Sequence, residues 1–140
     1  MKINHPLMDN NFLNSDMNAV RKLIKNKDLV LTQSKKVLEF EKRWSKWLGI
    51  KYSIFVNSGS SANFITTLIL KSFSSKKKEI IVPTLTWVSD INSVIMSGFK
   101  PVFVDIDPKN LSMNQDQVLK KINKNTLAVF ITHVQGFNGL

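Results

Sequence analysis

The chain contains no cysteine, which excludes a disulfide framework and any thiolate metal site and suits a reducing compartment. It also has no apolar run approaching the ~20 residues that a bilayer-spanning helix needs. The start, Met1-Lys2-Ile3-Asn4-His5, lacks the apolar stretch of a secretory leader. The expected location is therefore the cytoplasm, with no membrane partner. Arginine is scarce: Arg21 and Arg43 stand against a total of 20 basic residues. The formal net charge of +10 invites a nucleic-acid reading. Yet the guanidinium is the group suited to bidentate recognition of bases and phosphates, and the lysines are scattered apart from Lys76-Lys77-Lys78. The basic surface is expected to be a solvated one, with no nucleic-acid partner. Two nucleotide motifs are missing as well. Without G-x-G-x-x-G or G-x-x-x-x-G-K-[ST], the Rossmann and P-loop readings have nothing to stand on.

What is present is an ordinary globular composition, 43% hydrophobic and 21% charged over 140 residues, enough to bury a real core. An arm over Met1 to Asn14 precedes a helix from Ser15, which can cap it, with Met17, Val20, Leu23 and Ile24 on one face. A second helix is expected from Ser34 to Leu48, burying Val37, Phe40, Trp44, Trp47 and Leu48 and stopping at Gly49. Tryptophans at this spacing are far more often core than a binding platform. Four strands should follow: Tyr52 to Val56, Glu79 to Pro83, Pro101 to Asp105 and Leu127 to Thr132. Between them come helices from Gly59 to about Ser72, from Trp87 through Val88, Ile91, Val94 and Ile95 to Gly98, and after an Asn114/Gln117 capping box that buries Val118, Leu119 and Ile122. Short apolar strands alternating with helices predict an α/β fold, a mostly parallel sheet with helices on both faces. Residues 1–50 form the arm and two helices, and 51–140 an α/β domain.

Ligands gather at the carboxyl ends of such strands. Those ends carry Asn57-Ser58-Gly59-Ser60, Thr84-Leu85-Thr86-Trp87, Asp105-Ile106-Asp107 and His133-Val134-Gln135. The first is a small-residue turn opening a helix, where unpaired N–H groups and the helix dipole favour an anion such as phosphate. Taken alone, this turn reads more readily as a helix cap at Ser58 or Ser60. Beside it, Trp87 offers a ring on which a flat phosphorylated ligand stacks, against the alternative of a core anchor at the helix start. His133 is weighed against a plain hydrogen-bonded histidine. Asp105 and Asp107 read as turn and cap carboxylates, too few for a metal site.

The ordered set Leu31-Thr32-Gln33, Phe40-Glu41-Lys42, Trp47-Leu48-Gly49, Val56-Asn57-Ser58-Gly59-Ser60-Ser61-Ala62-Asn63, Ile81-Val82-Pro83, Thr86-Trp87, Pro101 to Asp107 and Thr132 to Gly136 resembles the pyridoxal-phosphate-dependent sugar aminotransferases of the DegT/DnrJ/EryC1/StrS family, of the aspartate-aminotransferase fold type. The resemblance implies pyridoxal 5'-phosphate (PLP), or its amine form PMP, as cofactor. Gly59, Ser60 and Ser61 would match the phosphate-binding turn, Trp87 the residue stacked on the pyridine ring, and His133 a position near the cofactor pocket. Thr32 and Gln33 would line the substrate site, often at a subunit boundary. It further implies amino transfer, with glutamate as donor, to a nucleotide-linked keto-deoxysugar for surface polysaccharide, carried out by a homodimer. Relatives that perform PMP-dependent 3-dehydration share the Ser-Gly-Ser-Ser-Ala-Asn form. In the family, the Schiff-base lysine and the aspartate facing the pyridinium nitrogen lie beyond the position matching Leu140. The expectation is thus an inactive N-terminal portion, with a phosphate- or partner-binding fragment as the non-catalytic alternative.

Overall fold

The computed structural model describes residues 10–32, 34–73, 76–133, 136 and 138. Its contacts divide the chain into two compact units, Met1–Phe55 and Val56–Leu140.

The first unit holds helices α1 (Asn14–Ile24) and α2 (Lys35–Leu48). Ser15 does not cap α1: the helix begins one residue earlier, and the Asp16 carboxylate accepts the Leu13 N–H at 2.9 Å. Helix α2 starts after Ser34 and ends where Gly49 turns into the left-handed region at φ 71°, a conformation that glycine adopts without steric cost. The expected burial of the α2 stripe is not observed. Phe40, Trp44 and Leu48 are about half exposed, Trp47 is 74% exposed, and the buried residue of the helix is Ser45. The aromatics pack on one another instead. Phe40 stacks on Trp44 with centroids 5.9 Å apart and meets Phe55 edge-on at 5.4 Å. Apolar periodicity marks a face that gains from cover; it does not supply the cover, and a unit this small has little interior.

The segment 52–56, expected as the first strand, joins no ladder among the described residues. A strand is defined by its partner, and here the Phe55 N–H donates to the Glu41 carboxylate at 2.8 Å while Ile54 stands 80% exposed.

The second unit runs α3 (Gly59–Phe73), β1 (Glu79–Pro83), α4 (Val88–Met96), β2 (Lys100–Val104), α5 (Gln115–Lys121), β3 (Thr126–Val129). All three strands are parallel in the order β2-β1-β3, with Ile81 opposite Val102 on one side and Val129 on the other. Strand β1 is therefore central, and its alternation builds two cores. Ile80 and Val82 join Val94 and Phe99 on the face packed by Leu70 of α3 and Ile91 of α4. Ile81 joins Val104 and Met113 on the opposite face, packed by Val118 of α5. This is the two-faced α/β arrangement that continuous apolar strands require. Strand β3 is shorter than expected, although Phe130 N–H still reaches the Ile81 carbonyl at 2.8 Å.

Helices α3 and α4 meet along small polar residues. The Thr67 hydroxyl, 1% exposed, lies 3.0 Å from the Ser93 carbonyl and 2.7 Å from the Ser97 hydroxyl. Asn114 caps α5 by accepting the Gln117 N–H at 3.0 Å. The Gln117 side chain does not complete the expected box; it accepts the Asp105 N–H at 3.0 Å and so ties the end of β2 to α5. Leu119 and Ile122, expected inside, are 70% and 50% exposed, because the α5 core contact runs through Val118 alone.

Candidate functional site

The turn before α3 shows how its small residues are used. The Ser58 hydroxyl accepts the Ser61 N–H at 3.2 Å, which makes Ser58 the cap. The Ser61 hydroxyl donates to Asn57 Oδ1 at 2.6 Å, and the Ser58 and Ser61 hydroxyls lie 3.2 Å apart. Capping and anion binding are thus divided among different residues. The first-turn N–H groups of Gly59 and Ser60 and the Ser60 hydroxyl find no partner among the described residues, and both residues are exposed. A Cβ built on Gly59 would meet no atom within 4 Å beyond its chain neighbours and its own helix backbone. The open space lies in front of the positive end of a 15-residue helix.

Trp87 is the residue from which α4 starts, and it is 73% exposed. A core anchor it is not. Its carbonyl accepts the Asp90 N–H at 3.0 Å, so the backbone at Trp87 is fixed by the first turn of the helix while the ring stays open to solvent. His133, also exposed, follows β3 and accepts the Gly136 N–H on its carbonyl at 3.2 Å. These positions belong to the second unit. Thr32 is exposed in the first unit, between α1 and α2, and Gln33 lies outside the described residues. Asp107 accepts the Lys109 N–H at 2.9 Å and Asp105 the Ile106 N–H at 2.8 Å, the turn role expected of them.

One residue at this edge escaped the sequence reading. Asp90 is 5% exposed and accepts hydrogen bonds from Asn63 Nδ2 at 2.6 Å, from Thr132 Oγ1 at 2.9 Å and from Thr86 Oγ1. The available signal was the single carboxylate of α4, in its first turn.

At the opposite, amino end of the strands a cleft of about 370 Å³ is lined by Lys76, Lys78, Glu79, Phe99, Lys100 and Asn125. Lys100 there pairs with Glu79 at 3.2 Å. The capped turn, the open ring and the buried carboxylate all lie at the other edge, where parallel sheets bind their ligands.

Residues 11–138 match the DegT/DnrJ/EryC1/StrS aminotransferase family. The chain is 31% identical over 139 residues to a GDP-4-keto-6-deoxy-D-mannose 3-dehydratase of Yersinia pseudotuberculosis, covering 96% of this chain and 35% of that protein. Among solved structures it is similar to the Helicobacter pylori aminotransferase involved in the biosynthesis of pseudoaminic acid, with TM-score 0.76, 30% identity, and 86% and 32% of the two chains covered. It is also similar to the E. coli GDP-4-keto-6-deoxy-D-mannose 3-dehydratase with bound hydrated PLP, with TM-score 0.80, 26% identity, and 94% and 34% covered. The chain thus spans about a third of the length of these relatives. With the family matched over nearly all of its length and the fold shared, the chain belongs to the DegT/DnrJ/EryC1/StrS aminotransferase family.

Proposed function

We propose that these residues form the phosphate- and ring-holding part of a PLP or PMP site, in a protein that transfers an amino group to a nucleotide-linked keto-deoxysugar for surface polysaccharide. The observation that carries the reading is Trp87: a tryptophan 73% exposed at the start of α4, at the same carboxyl edge as the phosphate turn. The space in front of Gly59 supports it, since the missing Cβ leaves room that the protein itself does not use. In this reading the N–H groups of Gly59 and Ser60 and the Ser60 hydroxyl hold the cofactor phosphate, Ser61 braces the turn, and the Trp87 ring lies against the pyridine. His133 borders the same edge. Bound there, the cofactor supplies an electron sink for chemistry at the carbon bearing the amine. Thr32 and Gln33 would contact the sugar nucleotide, with glutamate as donor and a second copy of the chain as partner, in the cytoplasm. The 140 residues by themselves are expected to bind without turnover.

Relatives that remove a hydroxyl support a second reading. Two GDP-4-keto-6-deoxy-D-mannose 3-dehydratases match 96% of the chain. A 3-deoxysugar as product, in place of an amino sugar, would select it.

Binding separates both readings from a merely structural turn. PLP should bind the chain saturably and pyridoxal, which lacks the phosphate, at least about tenfold more weakly, as expected for a charge-assisted anion contact. Gly59→Val, which fills the open space, should abolish the difference. Equal binding of the two compounds would remove the phosphate role from Gly59-Ser60.

A further inference from the structure

We propose that Asp90 is the positioning residue of this site, the single group that sets the aromatic platform relative to the phosphate turn; this rests on the cofactor reading above. Asp90 is 5% exposed, and a carboxylate taken out of water is costly unless its lone pairs are filled. Neutral donors from three separate segments fill them. Asn63 reaches Oδ1 from the second turn of α3, four residues after the Gly59 that opens it. Thr86, the residue before Trp87, and Thr132, the residue before His133, both donate to Oδ2, and their hydroxyls lie 2.7 Å from each other. No ion pair to Asp90 occurs among the described residues.

The arrangement joins every carboxyl-edge piece of the second unit that the site uses. The phosphate turn connects through Asn63, the ring through Thr86 and the histidine through Thr132. An apolar residue at this position would hold α4 against α3 at lower desolvation cost, since buried charges are often replaceable without loss of stability. What an apolar residue lacks is direction. Two oxygens receiving three aimed donors fix the angles at which the segments leave the sheet, and a flat ligand held at one end by phosphate and at the other by a ring is sensitive to those angles.

The test is a double-mutant cycle on the 140-residue chain, comparing the unaltered protein with Trp87→Leu, Asp90→Asn and the pair, with PLP affinity read by equilibrium dialysis and folding by urea midpoint. Asp90→Asn keeps one accepting oxygen and makes the other position a donor, so Thr86 and Thr132 must turn their hydroxyls from donating to accepting or Asn63 loses its acceptor, and either change alters the aim of the connections. If Asp90 acts by placing the ring, the substitution should weaken PLP binding about tenfold in the presence of Trp87 and less than about twofold in its absence, the non-additivity of residues acting as one unit. Equal losses in both backgrounds would overturn the proposal, because they would mean that Asp90 supports the fold or the phosphate turn alone. Should Asp90→Asn fail to fold, Thr132→Val removes one donor and leaves the carboxylate, and is judged by the same criterion. No saturable binding by the unaltered chain would overturn the cofactor reading and this proposal together. Binding with additive losses would overturn this proposal only.

Discussion

Trp87 and Ile81 are both large apolar side chains of the second unit, yet one is 73% exposed and the other 0%. Ile81 sits in the middle of β1 between Val102 and Val129 and contributes to the core on the α5 face. Ile81→Ala should therefore cost about 2–5 kcal/mol of unfolding free energy. Trp87→Leu should stay within about 0.5 kcal/mol, as exposed substitutions do, while weakening PLP binding. Urea denaturation of the two variants checks this; comparable destabilisation would mean that Trp87 has a packing role. The residue scale also shows what a sequence makes conspicuous and what it hides. Trp87 was legible because a tryptophan just past a buried strand is conspicuous. Asp90 was not, because its importance lies in three partners 4, 27 and 42 residues away along the chain, and no local pattern brings Asn63, Thr86 and Thr132 to one point.

Elements were read well where their cause is local. Glu79–Pro83 was expected with the bounds observed, since an apolar run ended by proline suits a strand covered on both faces. Gly49 as the stop of α2 and Asn114 as the cap of α5 have causes within four residues. The segment 52–56 and the aromatic stripe of α2 failed for one shared reason: strand pairing and helix burial depend on what lies alongside, which periodicity does not encode.

Glu79, at the start of β1, shows how such pairings add a pH dependence. Its carboxylate accepts from Asn123 Nδ2 at 2.9 Å and from the Lys100 ammonium at 3.2 Å. The Asn123 hydrogen bond first, and then Lys100, hold its pKa below the ordinary carboxylate value. A group more acidic folded than unfolded stabilises above its unfolded pKa and loses that contribution as pH falls through the folded value. Glu79→Gln should accordingly flatten the decline in urea midpoint between about pH 5 and pH 3, and less so at high salt, which screens exposed charges. An unchanged decline would show that these contacts do not persist in solution.

At the scale of the molecule, residues 11–138 match the family, and the chain spans about a third of the length of the relatives it matches. Among the described residues no helix is long and apolar enough to cross a membrane. The second unit is a parallel α/β layer whose carboxyl edge gathers a capped turn, an open ring and a buried carboxylate; its amino edge carries the lysine-lined cleft. The α/β class was legible from the alternation of strands and helices. The arrangement at the carboxyl edge became visible only in the fold. The central claim is that Trp87 and the Gly59-Ser60 turn hold the two ends of one ligand. The most direct measurement is the fluorescence of a Trp44→Phe/Trp47→Phe chain, in which Trp87 is the remaining tryptophan, titrated with PLP. The result expected is saturable quenching that inorganic phosphate reverses and Gly59→Val abolishes. Absent quenching, or quenching that survives Gly59→Val unchanged, would contradict the account.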